Sequence, residues 1–270
     1  MIGISLSNFA RGPSECAPEY TSLWEGLVGC WVPQMGVTGA TLYDVSGRGN
    51  HGTLTNMDPA TDWVGSPDGW ALDFDGSNDH IHCGTIKNTS QLTLVVVLNE
   101  YTNSDTFQYI VSQRNNAAIN WGLFIRRSLE ASDLARRLTI RGGGDAELKG
   151  TTPLQDATHY LVAATICGNE GSLYVNGLLD ATGAVNTIAN NAVPTLISCR
   201  YSTGTTVNTP LNGSLAFVGM SSRAWSSNEI AAWSADPLAL LRPRRRWWSL
   251  APSGSAIAAI SQYYRRLRSA

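Results

Sequence analysis

A succession of short apolar runs, separated by turn residues, is the feature that most constrains how this chain can fold. The runs begin after residue 26 and include LVGCWV, WALDF, HIHCG, LTLVVVL, QYIVSQ, WGLFIRR, RRLTIRG, HYLVAATI, SLYVNG, PTLISC and SLAFVGMSS. Regular spacing of strand-length runs, with few helical patterns between them, is typical of an all-β sandwich or barrel. The hydrophobic fraction of 43% is sufficient for a sizeable core.

Three local patterns predict particular elements. Residues 92–98, Leu-Thr-Leu-Val-Val-Val-Leu, are apolar on nearly both faces, which is typical of a central strand. The pair Asn176-Gly177 tolerates positive φ at two successive positions and predicts a tight β-hairpin. Ser226 and Glu229 have the spacing of a capping box, which predicts one short helix.

The two ends of the chain differ from the central part. Residues 1–24 are mixed in character, contain Pro13 and Pro18, and predict an extended arm. Residues 242–270 contain seven arginines and no acidic residue, which leaves twelve basic and twenty-one acidic residues elsewhere, a net charge of −9. An acidic body with a basic tail indicates that the tail meets an anionic surface or a specific partner, although a solubilising tail is the alternative.

The composition of this tail predicts a docking segment. Arginine and tryptophan are enriched at binding hot spots, and apolar residues at helical spacing follow them. A helix this short is marginal alone in water, so we expect it to dock on other protein subunits of an assembly or on copies of this chain. The predicted docking residues are Arg242, Arg244, Arg245, Arg246, Trp247, Trp248, Ile257, Ile260, Tyr264 and Leu267.

The cysteine pattern bears on metal binding and on the redox compartment. There are five cysteines and no Cys-x-x-Cys pair, so neither a zinc site nor a dense disulfide framework is expected. We predict buried free thiols in a reducing compartment. The first 15 residues lack a basic region followed by a long apolar run, so no signal peptide is predicted. No stretch approaches the roughly 18 apolar residues of a membrane span, so no membrane contact is predicted either.

The stretch LYDVSGRGNHGTL, residues 42–54, is too polar for a core strand. It places Asp44, Ser46, three glycines, Asn50 and His51 between two apolar ends. Such a composition indicates either a binding site or a turn that requires unusual backbone geometry.

Four segments, in order and spacing, resemble the laminin-G-like domain of the concanavalin A-like lectin/glucanase fold. They are GLVGCWVPQMGVTGATLYDVSGRGNHGTL, ALDFDGSNDHIHCG, GSLYVNGLLDATG and GSLAFVGMSSRAWSSNEIAAW. The resemblance implies a two-sheet antiparallel jelly-roll sandwich over residues 25–241, with an N-terminal arm (1–24) and a docking tail with a short C-terminal helix (242–270). It also implies that Asp44 and Ser46 cap a tight turn whose glycines have positive φ.

The ending DPLALLRPRRR is similar to the arginine-rich endings of small laminin-G-like proteins of bacteriophages and their bacterial relatives. This resemblance implies a virion protein made in the host cytoplasm: a capsid decoration, fibre or tail component that contacts capsid or tail proteins and holds cell-surface glycans. A free-standing carbohydrate-binding module and a glycoside hydrolase are the alternatives.

Catalysis would require two carboxylates at the distance that glycoside hydrolysis uses. Residues two apart on a strand share a face, and the nearest such pair is Asp73 and Asp75. Asp75, however, lies in a predicted hairpin turn. We therefore predict a protein without enzymatic activity.

Metal binding has a few candidate ligands. His80 and His82 lie two apart on a predicted strand beside Asp79, an arrangement that can bind zinc or copper. The family resemblance implies calcium, but Ala216 stands where many members have an acidic residue, so we expect no cofactor. The weak metal candidates are Asp44, Asp73, Asp75, Asp79, His80 and His82.

Sugar binding commonly uses aromatic rings together with amide side chains. Trp31, Trp70 and Trp225 fall within the family motifs, and we expect them in the core. The loop SQRNNAAINWG, residues 112–122, is rich in amides and ends near a tryptophan. The predicted carbohydrate-binding residues are Trp63, Tyr109, Asn115, Asn116, Asn120 and Trp121.

Five arginines cluster in neighbouring predicted strands: Arg126, Arg127, Arg136, Arg137 and Arg141. Strand alternation is expected to divide them between two faces. A nucleic-acid groove is therefore not predicted.

Overall fold

The computed structural model describes residue 10 and residues 12–67, 69–102, 106–126 and 135–243. Most of the docking tail, residues 244–270, lies outside this range, so nine of the ten predicted docking residues have no described position. Arg242 is described, and its guanidinium forms an ion pair of 2.6 Å with the carboxylate of Asp236.

The described part of the chain folds into short antiparallel strands. The first nine are β1 (Leu27–Trp31), β2 (Thr41–Leu42), β3 (Gly52–Thr55), β4 (Trp63–Ser66), β5 (Gly69–Asp75), β6 (His80–His82), β7 (Gln91–Tyr101), β8 (Gln108–Arg114) and β9 (Ile119–Ile125). The others are β10 (Arg137–Arg141), β11 (Glu147–Pro153), β12 (Tyr160–Cys167), β13 (Glu170–Val175), β14 (Leu178–Ala184), β15 (Leu196–Ile197), β16 (Arg200–Tyr201), β17 (Val207–Asn208) and β18 (Asn212–Ser221). Two short α-helices are described, α1 (Thr21–Trp24) and α2 (Ser227–Ala235), and 3₁₀ turns occupy Pro18–Tyr20, Pro33–Met35 and Ala239–Leu241.

The strands form two sheets that face each other, which confirms the predicted two-sheet antiparallel sandwich. Sheet I has the order β14-β13-β12-β7-β18-β5-β4, and β1 also pairs with β18. Sheet II has the order β11-β10-β9-β8-β15-β6-β3-β2. Strands β16 and β17 form a separate two-stranded hairpin.

Two hydrophobic cores lie on opposite faces of sheet I, and strand β7 contributes to both. Leu94 and Val96 belong to the core between the sheets, whereas Val95 and Val97 belong to the core on the outer face of sheet I. A strand that is apolar on both faces must be covered on both sides. The prediction of a central strand at 92–98 is therefore confirmed, since β7 lies between β12 and β18.

The N-terminal segment and the last described residues cover the outer core of sheet I. The indole of Trp24 donates a hydrogen bond of 2.7 Å to the carbonyl of Leu240, and the Ala10 amide donates one of 2.8 Å to Leu241. The prediction of an extended arm is wrong for residues 18–24. Pro18 begins a 3₁₀ turn, where its missing N–H has no cost, and α1 follows it.

The capping box before α2 is confirmed. The Ser226 hydroxyl accepts a hydrogen bond from the Glu229 amide, and the Glu229 carboxylate accepts one from the Ser226 amide. Burial by itself would raise the pKa of Glu229, but hydrogen bonds from Arg223 and Ser226 outweigh it and lower this pKa to about 2. Ile230 and Trp233 are fully buried, so the helix packs on sheet I.

The hairpin between β13 and β14 has the predicted backbone conformation. Asn176 has a φ of 51° and Gly177 a φ of 80°, which are the values of a tight two-residue turn. The edge strand β14 is joined to β11 of sheet II by the Asp180 carboxylate. This carboxylate accepts hydrogen bonds from the amides and hydroxyls of Thr151 and Thr152.

All five cysteines are described and all are free. Cys16, Cys30, Cys83 and Cys199 are buried as predicted, and burial raises the pKa of Cys199 to about 12. The prediction is wrong for Cys167, which is exposed at the end of β12. In the described range, no helix is long and apolar enough to cross a bilayer.

Candidate functional site

The loop at 42–54 is a structural turn held by the Asp44 carboxylate. Its Oδ1 accepts hydrogen bonds from the amides of Cys30 (2.9 Å) and Ser46 (2.8 Å), and Oδ2 accepts one from Asn50 (2.9 Å). Gly47 and Gly49 have φ near 80°, as the family resemblance implied. Because these amides already use both oxygens of a carboxylate that is only 6% exposed, the carboxylate fixes the backbone here.

The metal candidates on β6 have other partners. The His80 ring is buried, and its Nε2 lies 3.1 Å from the Tyr201 hydroxyl. Burial lowers the pKa of His80, which favours the neutral ring. The Nδ1 of His82 accepts a hydrogen bond from the Gly84 amide.

The acidic candidates on the β5–β6 turn serve the turn itself. Asp75 accepts hydrogen bonds from the amides of Ser77 and Asn78, and Asp79 accepts one from the Asp75 amide. Burial raises the pKa of Asp79. Within the described ranges, no three His, Cys, Asp or Glu side chains are grouped so that they could hold a metal ion.

Four of the six predicted sugar-binding residues are buried, and Tyr109, on the outer face of sheet II, is one of them at 2% exposure. The other three lie within the sandwich. The indoles of Trp63 and Trp121 donate hydrogen bonds to the Gly39 carbonyl and to the Asn88 side chain. Asn120 exchanges hydrogen bonds with Asn191. None of the three presents a ring face or an amide to solvent, because their strand positions point towards other protein groups.

Tyr109 lies near the start of β8, and Asn115 and Asn116 follow its last residue. The Asn115 side chain accepts hydrogen bonds from the amides of Ala117 and Ala118 and closes the β8–β9 turn. Asn116 is exposed at the tip of that turn, and its side-chain oxygen accepts a hydrogen bond of 2.9 Å from Arg200. The structure therefore adds arginines to this part of the prediction.

Three arginines converge on the aromatic rings of this surface, which is the outer face of sheet II. The guanidinium carbons of Arg114 and Arg200 lie 5.9 and 6.0 Å from the centre of the Tyr109 ring. That of Arg141 lies 5.7 Å from the centre of the Phe124 ring. We call Tyr109, Arg114, Asn116, Arg141 and Arg200 the arginine site. Tyr109 and Asn116 were predicted as binding residues, whereas Arg114 and Arg200 were missed.

The strand register explains how the rings support the arginines. Tyr109 of β8 lies opposite Phe124 of β9, and the rings stack with their centres 4.8 Å apart. The Tyr109 ring also covers Gly122, where an added Cβ would lie 2.6 Å from the ring. The glycine thus lets Tyr109 lie flat on the sheet, and Arg114 donates a hydrogen bond of 2.5 Å to its hydroxyl.

The hairpin of β16 and β17 brings Arg200 to the site. The Asn116 amide donates a hydrogen bond to the Ser202 carbonyl, and the Tyr109 amide donates one to Thr209. Arg200 therefore reaches the end of β8, although 86 residues separate it from Arg114. No local sequence pattern indicates this contact.

The site has more positive charge than its described carboxylates balance. Arg141 pairs with Asp145 and Glu147, and Glu147 is shared with Arg126. Among the residues with described positions, no carboxylate pairs with Arg114 or Arg200. Of the five arginines that strand alternation was expected to divide between two faces, Arg126, Arg137 and Arg141 share one face, and Arg127 lies outside the described residues. The side chains of these three alternate with the core residues Ile125, Leu138 and Ile140 and so share the outer face.

Burial and like charge act together on these guanidinium groups. Burial lowers the pKa of Arg141, and the nearby Arg114 and Arg200 lower it further against the opposing effects of Tyr109 and Asp145. Burial and Arg114 likewise lower the pKa of Arg200. The Nε atoms of Arg114 and Arg141 are shielded from solvent without a hydrogen-bond partner. Guanidinium donors of this kind bind oxygen acceptors, carboxylates and sulfate-like groups.

Comparisons with known proteins place the fold. A family model described as the concanavalin A-like lectin/glucanases superfamily (Laminin_G_3) matches residues 63–231. No curated protein sequence matches the chain significantly.

Several solved structures share the fold at low identity. A Trypanosoma rangeli sialidase is 17% identical with a TM-score of 0.55, over 80% of this chain and 33% of the sialidase chain. The binding domain of Paraclostridial Mosquitocidal Protein 1 is 14% identical with a TM-score of 0.56, over 78% of this chain and 52% of that one. A heptameric SAP-like pentraxin from Limulus polyphemus is 15% identical with a TM-score of 0.51, over 60% of this chain and 80% of the pentraxin.

These likenesses show the fold alone, and the chain spans about a third of the sialidase it matches. The family model is more informative, because it matches more than half of the 270 residues and agrees with the two antiparallel sheets. The chain belongs to the concanavalin A-like lectin/glucanase superfamily.

Proposed function

We propose that this lectin-like sandwich is a carbohydrate-binding module without catalytic activity, and that it binds glycan at the arginine site. The observation that carries the proposal is the convergence of Arg114 and Arg200 over the Tyr109 ring, together with the hydrogen bond from Arg200 to the exposed Asn116. Amide and guanidinium donors beside an aromatic ring are groups that bind sugar hydroxyls. The superfamily, which takes its name from lectins and glucanases, agrees with this proposal.

The absence of catalytic activity is proposed because the pair of carboxylates that comes nearest to a glycosidase arrangement, Asp73 and Asp75, does not have the geometry of one. Asp73 and Asp75 are both exposed on the outer side of β5, and Asp75 is engaged in the β5–β6 turn. A retaining or inverting glycosidase needs two carboxyl groups that face each other across a bound sugar. Two side chains on the same face of one strand do not enclose a substrate between them.

Attachment to a larger assembly stays a prediction. Residues 242–270 are proposed to dock on other subunits, in a phage particle as the resemblance of the segment DPLALLRPRRR implies. Deletion of residues 244–270 provides the test: the shortened protein should keep its fold and lose its partner in co-purification. A shortened protein that still enters the assembly would contradict docking through the tail.

Glycan binding is tested with the full chain on a glycan array, followed by titration calorimetry with a bound glycan. Asn116→Ala should weaken binding by about threefold to tenfold, the effect of one hydrogen bond. Asn169→Ala is the matched control, because Asn169 is also an exposed asparagine and lies in the β12–β13 turn of sheet I. An array without any bound glycan, or equal effects of the two substitutions, would contradict the proposal.

A further inference from the structure

The arginine site brings three partly buried positive charges close to one another. Arg114, Arg141 and Arg200 are close enough for Arg114 to lower the pKa of the other two. Exposed like charges are held apart at little cost by water, but these groups are partly buried over Tyr109 and Phe124. Partial burial of like charges is unfavourable unless a counter-charge compensates it.

Among the residues with described positions, carboxylates balance the positive charge of Arg141 but not that of Arg114 or Arg200. Asp145 and Glu147 both contact Arg141, and Asp145 is 93% exposed. Arg200 donates to the neutral oxygens of Asn116 and Tyr201, and Arg114 donates to the neutral hydroxyl of Tyr109. The side of the site formed by Arg114 and Arg200 thus has positive charge without a described anion.

Unused hydrogen-bond donors lie on the same groups. The Nε atoms of Arg114 and Arg141 are buried and have no partner. A buried donor without a partner costs about 1–3 kcal/mol. An oxyanion that accepts two parallel N–H···O bonds satisfies a guanidinium donor and its charge together.

We infer that the glycan bound at the arginine site carries a carboxylate or sulfate group, which lies between the guanidinium groups of Arg114 and Arg200 that cover the Tyr109 ring. This inference rests on the proposed function, because it names the class of glycan that the same site binds. A compact patch with Asp145 and Glu147 at its edge favours one anionic group over the long phosphate backbone of a nucleic acid.

The test uses matched pairs of glycans that differ only in charge. Oligogalacturonate is compared with its carboxyl-reduced form, and sulfated dextran oligosaccharide with unsulfated dextran, by calorimetry with the full chain. The acidic member of a pair should bind at least about tenfold more tightly. That advantage should shrink when the salt is raised from about 0.05 M to about 0.3 M, since salt screens charge.

Substitutions locate the effect. Arg114→Gln and Arg200→Gln should each weaken acidic-glycan binding by about tenfold or more, the effect of one charge-assisted hydrogen bond. Arg137→Gln is the control: it removes the same charge from the outer face of sheet II, and the Arg137 guanidinium contacts the Gly150 carbonyl instead of the aromatic rings. Arg200→Lys keeps the charge and serves as a second variant should the glutamine variant fold poorly.

The outcomes separate the two proposals. Equal binding of charged and neutral partners that still depends on Asn116 would overturn the acidic-glycan inference and leave the glycan-binding function intact. No binding of any glycan would contradict the function itself. An equal loss in Arg137→Gln would show a diffuse charge effect, and tighter binding of an oligothymidylate through Arg114 would show a nucleic-acid site. Either result overturns the inference.

Discussion

The replacement Asp44→Ala should remove much of the stability of this fold. The Asp44 carboxylate accepts three backbone hydrogen bonds, of 2.8 to 2.9 Å, from β1 and from its own loop. Hydrogen bonds to a charged acceptor contribute about 1.5–3 kcal/mol each. Even the lower value predicts a loss of about 4–5 kcal/mol for three bonds, because water has little access to a residue that is 6% exposed. Total stabilities are about 5–15 kcal/mol.

The replacement Asp44→Asn separates the individual bonds. Its side-chain oxygen can still accept from the amides of Cys30 and Ser46, but its NH₂ group would face the Asn50 amide, so we expect a loss of about 2–3 kcal/mol. Asp58→Ala is the control, because its carboxylate caps one exposed turn, at the Ala60 amide. The loss there should stay below about 1 kcal/mol.

Urea unfolding, followed by tryptophan fluorescence, measures these differences, since the Trp31 indole donates to the carbonyl of Asn50 in the same loop. A loss below about 1 kcal/mol in Asp44→Ala would refute the structural assignment of this loop. So would calcium-dependent stabilisation that the wild type shows and Asp44→Ala lacks, because it would make the carboxylate a metal ligand.

Three further predictions concern other parts of the fold. Glu229 has a pKa of about 2 in the folded protein and about 4.3 when unfolded, so its contribution is present above pH 5 and lost as pH falls towards 2. After allowance for screening this contribution is about 1–2 kcal/mol, and acid titration of Glu229→Gln should lack it. Asp180→Ala should lower the free energy of unfolding, measured in urea, by about 1–2 kcal/mol. The substitution removes the hydrogen bonds that join β14 to Thr151 and Thr152 of β11. A thiol reagent should label Cys167 in the native protein and all five cysteines in urea, and a second native thiol of similar rate would contradict the burial of the other four.

The elements that the sequence predicted well are those fixed by local chemistry. The Asn176-Gly177 turn and the Ser226–Glu229 capping box depend on residues within a few positions of each other. The central position of β7 followed from its own composition, since no exposed strand is apolar on both faces. The N-terminal arm was predicted less well. The two prolines indicated an extended chain, but Pro18 suits the first position of a 3₁₀ turn, and Trp24 anchors that turn to Leu240.

The candidate binding residues divided according to which face of a strand they occupy. In β9, Trp121, Leu123 and Ile125 point into the core, whereas Phe124 points outwards. Both sets contain a large aromatic residue, and both aromatic residues are buried, so composition alone does not decide which face lies between the sheets. Register against β8 decides it, and register is set by contacts between strands. The prediction that Trp121 contacts sugar is therefore wrong, because Trp121 is buried between the two sheets.

The arginine site depends on contacts that are still further apart in the sequence. Arg114 ends β8, Arg141 ends β10 and Arg200 begins β16. The three guanidinium groups therefore meet only when these separate strands have come together in the fold. Each arginine, taken singly, has the pattern of an ordinary surface residue. Their juxtaposition matters because it concentrates charge that the nearby described acids do not balance. An unbalanced cluster is a net cost to the free protein, and a bound anion would relieve that cost. The acidic-glycan proposal therefore links the stability of the fold to the affinity for the glycan through the same three side chains.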